Sequence, residues 1–191
     1  MKLVDFNMVR RGKYLKNYEL IYDNDKGKQK TFEIVSHHEI HSPEDLGNKV
    51  SGVSIVAFHE DKLLLLREFR MGANRYIYNL CAGMKEENET LEDCIARELY
   101  EETGLQLKQI ITILRPSFAA VALSDVTNQI VIARVEGTFS TENLSDNEDI
   151  SADFYTKEEV MKLVEEEWFS SRAQLAAYSF AIGAYDMLLQ K

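Results

Sequence analysis

GMKEENETLEDCIARELYEETGL, residues 83–105, sets Glu89, Arg97, Glu98, Glu101 and Glu102 at fixed spacing between Gly83 and Gly104. Thr90-Leu91-Glu92-Asp93 has the form of a capping box, and Gly104 is the residue type that closes helices in the left-handed conformation. The pattern predicts one helix over 91–103. At roughly 100° per residue, with Leu91 as origin, Ile95 falls at about 40°, Glu102 at about 20° and Glu98 at about 340°. Two acids therefore lie within the apolar stripe, where an unpaired carboxylate costs several kcal/mol. Convergent oxygens of this kind suit a hard divalent cation, and Glu101 flanks the same edge.

The plainer reading is a solvated acidic helix with an i, i+4 pair between Arg97 and Glu101. It leaves unexplained why acids fall on the apolar side and why glycines bracket them. The full spacing is Gly83, five residues, Glu89, seven residues, Arg97-Glu98, Leu99, one residue, Glu101-Glu102, one residue, Gly104, Leu105. In this it closely resembles the box of the Nudix hydrolase family.

The chain's 191 residues suit one main domain with a short additional element, set here at 1–45 for a small N-terminal β-sheet and 46–191 for the main domain. Lys plus Arg number 22 against 32 Asp plus Glu, a net charge of −10, which disfavours nucleic-acid polymers and anionic membranes as partners. A small nucleotide stays open, because bound cations invert the local field. The start, MKLVDFNMVRRG, has no apolar run of signal-peptide length, so a cytoplasmic setting is expected. Cys81 and Cys94 have neither the number nor the spacing of a zinc site. His37, His38 and His41 lie in a stretch rich in turn residues and read as a solvated loop.

Hairpins are predicted over 18–22 with 31–36, and over 50–58 with 62–67. Further strands are expected at 76–80, 107–114, 129–135 and 150–155. A capping box at Thr156 opens one late helix. A second is expected from about Ser171 to Leu189, with Leu175, Tyr178, Ile182, Tyr185 and Leu189 as its core face.

The resemblance implies an α/β fold, the α/β/α sandwich with a mixed sheet. It implies that Glu98, Glu101 and Glu102 hold magnesium, or manganese, on a substrate diphosphate, helped by the Ala82 carbonyl, with Glu89 in support. Arg97 then orients carboxylates by bidentate hydrogen bonds. The N-terminal element and LLLLREFR (63–70) resemble the ADP-ribose pyrophosphatase group, whose members are commonly homodimers and use an arginine at the Arg70 position on the diphosphate. The expected reaction is hydrolysis of ADP-ribose to AMP and ribose 5-phosphate. By register before the strand at 150, Asp146 takes the place of the base and Glu148 that of a second acid near the metal. Where that group carries Ser-Pro-Gly and an acid, this chain reads RPSFAAVALSDVTNQ. The alternatives are GDP-mannose or another nucleotide sugar, a modified nucleoside triphosphate, and a non-catalytic nucleotide-binding module.

Overall fold

The computed structural model describes residues 1–190. The strands β1 (Lys2–Arg11), β2 (Lys16–Asp23) and β3 (Gln29–Ser36) come first, then β4 (Val50–His59), β5 (Lys62–Arg70), β6 (Arg75–Asn79), β7 (Cys81–Met84) and helix α1 (Leu91–Thr103). β8 (Gln106–Ile113), β9 (Ser117–Phe118), β10 (Thr127–Glu136) and β11 (Ile150–Tyr155) follow, with α2 (Lys157–Glu166), α3 (Ser171–Ala181) and α4 (Asp186–Leu189) last. The chain folds as two compact units, Met1–Ser51 with Pro116–Asn128, and Gly52–Arg115 with the segment from Gln129 onward.

The first unit carries an antiparallel sheet in the order β1-β2-β3. Tyr18, Leu20 and Ile34 form its small core with Ile40, and the Tyr18 hydroxyl accepts a hydrogen bond from the Ile40 N–H at 2.9 Å. Asn24 builds the hairpin turn, its side-chain oxygen accepting from Lys26 N and Lys28 N. β1 was not foreseen. Its ten residues, KLVDFNMVRR, are mostly exposed and its register on β2 shifts twice, which blurs the alternation that marks a half-buried strand.

In the second unit the order β11-β5-β4-β10-β8 is extended by β6 on β5 and β7 on β4. The apolar run Leu63–Leu66 is buried throughout because both faces of the sheet are covered. Leu64 and Leu66 join Val53, Ile55 and Ala57 beneath Cys94, Ile95 and Leu99 of α1. Leu63 and Leu65 join Val56 and Phe58 beneath Val160 of α2 and Ala173, Ala177 and Phe180 of α3. Each leucine so buried contributes about 1.5–3 kcal/mol. The fold is the expected α/β sandwich with a mixed sheet, accompanied by a small antiparallel sheet. The strand expected at 76–80 is β6, which pairs with β5; after Leu80 the chain passes to β4 as a further short strand, β7, that was not foreseen.

The C-terminal helix departs from expectation. α3 stops at Ala181, and Gly183, at φ +82°, turns the chain before α4. The buried face is Ala173, Ala176, Ala177 and Phe180, while Leu175, Tyr178 and Ile182 are 69%, 46% and 58% exposed. The three alanines permit close approach of the helix to the sheet, which leaves Leu175, Tyr178 and Ile182 on the outside. Among the described residues no helix is long and apolar enough to cross a membrane.

Candidate active site

Helix α1 begins where the Thr90 side chain accepts from Asp93 N at 3.1 Å and ends at Gly104, φ +75°, whose N–H reaches the Tyr100 carbonyl at 2.9 Å. With its ends so fixed, its sheet-facing side carries Cys94, Ile95, Leu99 and also Glu98, which is only 8% exposed. Opposite stands Gly83 of β7. A Cβ there would lie 1.8 Å from the Glu98 carboxyl carbon, so the backbone approaches a carboxylate as only glycine allows.

Arg97 joins this group together. Its Nε and Nη2 donate to the two oxygens of Glu89 at 2.8 and 3.0 Å, a bidentate pair. Nη1 donates to Glu98 at 2.8 Å and to Glu101 at 3.0 Å, and Nη2 also reaches the Met84 carbonyl at 3.0 Å. These bonds hold the Glu89 carboxyl down at about 2 and push the guanidinium above its ordinary value. At Glu98 burial prevails over Arg97, and the carboxyl is raised. Glu102 lies beyond the arginine. Burial pushes it up to about 8, against the Cys81 thiol and the Ala82 N–H, which donates to its Oε2 at 3.1 Å.

This donor set fits a divalent cation. It offers hard oxygens, a glycine cradle beside Glu98, and a carboxyl at Glu102 that no cationic side chain among the described residues compensates. Among the described residues no three His, Cys, Asp or Glu side chains already converge in ligand geometry. The contacts explain this: Glu98 and Glu101 are turned to Arg97, and Glu102 to the Ala82 N–H.

These groups line a cleft of about 560 Å³ that also takes in Glu68, Arg70 and Glu148. Of the residues singled out in the sequence, Ala82, Arg97, Glu98, Glu101, Glu102, Arg70 and Glu148 meet here, whereas Asp146 is exposed and outside the lining. Glu148 accepts from Ser145 N at 2.9 Å, and Asp149 from the Tyr76 hydroxyl. Arg67 lies over the Tyr76 ring at 4.2 Å. A larger hollow of about 970 Å³ lies elsewhere, but its cations are committed, Lys157 to Asp186 and Arg134 to the Leu189 carbonyl.

Glu68 was missed in the sequence. It is 6% exposed and is held by Asn79 Nδ2 at 2.5 Å and Arg70 Nη1 at 3.3 Å. Strand parity was the available signal, because Leu64, Leu66 and Glu68 alternate onto one face of β5.

The NUDIX domain sequence model matches residues 48–178. The chain belongs to the Nudix family. Divalent cations are the general cofactor of that family. An NAD-capped RNA hydrolase of Vibrio parahaemolyticus is 45% identical over 56 residues, 29% of this chain and 21% of that protein. This chain thus spans about a fifth of the length of the NAD-capped RNA hydrolases it matches. The ADP-ribose pyrophosphatase of Escherichia coli K12 is 30% identical over 126 residues, 61% of this chain and 59% of the relative. A GDP-mannose pyrophosphatase of Yersinia enterocolitica is 25% identical over 197 residues, 99% of this chain and 90% of the relative. Among solved structures, one described as an ADP compounds hydrolase superposes with a TM-score of 0.73 at 19% identity, covering 97% of this chain and 94% of that one.

Proposed function

We propose that this Nudix protein hydrolyses the diphosphate linkage of a nucleoside diphosphate derivative, with ADP-ribose the leading substrate and magnesium, or manganese, the cation. The observation that carries the reading is the Arg97 cluster: one guanidinium joins Glu89, Glu98 and Glu101 beside the Gly83 cradle, in a cleft that also contains Arg70. The pyrophosphatases similar to this chain support the choice of substrate class.

Glu98, Glu101, Glu102 and the Ala82 carbonyl are assigned to hold the cation. When bound, it neutralises charge on the phosphoryl oxygens and lends acidity to water. Arg97 gathers the Glu89, Glu98 and Glu101 carboxylates in one place beside the cleft. Arg70 meets the diphosphate with a group matched to phosphate geometry. A carboxylate of the 143–149 segment takes the proton from the attacking water. Glu148 is favoured over Asp146, because Glu148 lines the cleft. The segment 1–45, which carries β1–β3, is assigned to pairing of chains as a homodimer, with 46–191 as the hydrolase domain.

GDP-mannose is the second reading, favoured by the relative that matches nearly the whole chain. Incubating the protein with ADP-ribose, GDP-mannose, other nucleotide sugars and modified triphosphates in magnesium, then measuring phosphate after phosphatase treatment, decides between them. A protein that binds nucleotides and releases no product refutes the hydrolase. Sedimentation tests the dimer, and a monomer at micromolar concentration with full activity refutes it.

A further inference from the structure

Glu68 is a buried carboxylate of the cleft to which the proposed reaction gives no task. Both of its oxygens are engaged: Oε1 accepts from Asn79 Nδ2 at 2.5 Å and Oε2 from Arg70 Nη1 at 3.3 Å. The chain of bonds continues, since Asn79 Oδ1 accepts from the Ser170 hydroxyl at 2.6 Å and that hydroxyl caps the first turn of α3 by accepting from Ala173 N. Glu68 is therefore fixed from β6 and from the start of α3. A carboxylate so held has little freedom to swing to a cation.

What it holds is Arg70. The arginine side chain is 58% exposed against 8% for its partner, and Glu68 is its only hydrogen-bond or ion-pair contact among the described residues. It also has a cationic neighbour. Arg172, in the first turn of α3, is half-buried with no such contact among the described residues, and burial followed by the charge of Arg70 lowers its pKa. An exposed guanidinium repelled by a second one does not keep one orientation unaided. The buried end of an anchored carboxylate supplies what is lacking.

We infer that Glu68 is a positioning residue that presents Arg70 to an anionic diphosphate, with Asn79 and Ser170 holding Glu68 in turn. This rests on the hydrolase reading and adds to it the polar chain behind Arg70. With Arg70 largely in solvent the pair adds little to stability, so the benefit is pre-organisation and shows in substrate affinity. In Glu68→Gln the amide oxygen still accepts from Asn79, but its NH₂ faces Arg70.

The test compares wild type, Glu68→Gln, Arg70→Gln and the double variant in the full chain. The readouts are kcat and KM for ADP-ribose in saturating magnesium, and calorimetric binding of ADP-ribose in EDTA. Each single variant is expected to raise KM and the dissociation constant about 3–10-fold, the scale of ordering one side chain, with kcat within about twofold. The double variant should be no worse than Arg70→Gln alone. Ser170→Ala, which does not touch Glu68, should raise KM in the same direction by a smaller factor. Unchanged KM in Glu68→Gln, or additive losses in the double variant, overturns the inference. So does a fall in kcat with a raised magnesium requirement, which makes Glu68 part of the cation site. Should wild type bind and cleave none of the diphosphates, the hydrolase reading itself fails. Should it cleave them while Glu68→Gln behaves as wild type, only the positioning role fails.

Discussion

Glu89, just before α1, and Glu102, in its last turn, have carboxyl groups driven in opposite directions. Hydrogen bonds from Arg97 draw Glu89 down to about 2, whereas burial pushes Glu102 up to about 8. The difference lies in reach. A guanidinium in the middle of the helix neutralises the acids within its fork and leaves the far acid, half-buried, without a cationic partner among the described residues. One end of the group is electrostatically complete and the other calls for positive charge, which is where a cation has most to contribute.

The largest expected effect breaks the far end. Glu102→Gln keeps shape and polarity but removes the charge, and turnover should fall by about 10³-fold or more, the scale of a lost metal interaction worth several kcal/mol. Thermal unfolding should remain cooperative. Steady-state kinetics across a magnesium titration check this, and near wild-type turnover at saturating magnesium removes Glu102 from the cation site.

The next effect concerns the acids beyond the helix, which lack the arginine's order. Loss of a general base costs about 10²–10⁴-fold in kcat with little change in KM. Glu148→Gln is expected at the lower end of that range, because Glu148 lines the cleft, and Asp146→Asn should be milder. If Asp146→Asn carries the loss instead, the segment moves when substrate binds and the roles are exchanged. If both are silent, Glu101 becomes the candidate base.

How much could be read beforehand follows the same division between local and distant determinants. α1 was legible to the residue because cap, spacing and closing glycine all lie within its own sequence. The buried acids were legible as a conflict between charge and the apolar stripe. Glu68 was legible only through its strand parity with Leu64 and Leu66; the bonds that hold it come from Asn79 and, through it, from Ser170, 91 positions beyond Asn79. At α3 the large side chains Leu175, Tyr178 and Ile182 face outward against expectation, because its packing on the sheet buries Ala173, Ala176, Ala177 and Phe180. The 143–149 acids could be placed near the site by register, but which of them lines the cleft is a matter of loop shape.

A smaller effect sharpens the comparison through pH. Glu102 has a folded pKa raised to about 8 from an ordinary value of 4.5. Below 4.5 it is protonated in both states and costs nothing; as pH rises toward 8 the unfolded chain ionises it freely and the folded protein does not. Stability from this group therefore declines across that interval. Glu89 has the opposite sign: its stabilisation is present above 4.5 and is lost as pH falls toward 2. In EDTA the melting temperature should fall as pH rises from about 5 to about 8, and Glu102→Gln should remove this part of the slope. Magnesium should flatten the wild-type slope, because it stabilises the ionised carboxylate. A wild-type slope equal to that of Glu102→Gln at every pH, with and without magnesium, contradicts the assignment.

The smallest effect is predicted for Glu92, on the same helix and of the same charge. It lies in the first turn, exposed, where its negative charge meets the positive end of the helix dipole and has no part in the Arg97 cluster. Glu92→Gln should cost no more than about 0.3–1 kcal/mol of stability, and that only at low salt. Activity should stay within about twofold, since ionic screening leaves an outward-facing charge little influence on the cleft. Kinetics and melting at two salt concentrations measure both quantities. A loss comparable to that of Glu102→Gln would mean that overall negative charge on α1, rather than the position of each carboxylate, sets the activity, and the contrast between the two ends of the helix would no longer explain the site.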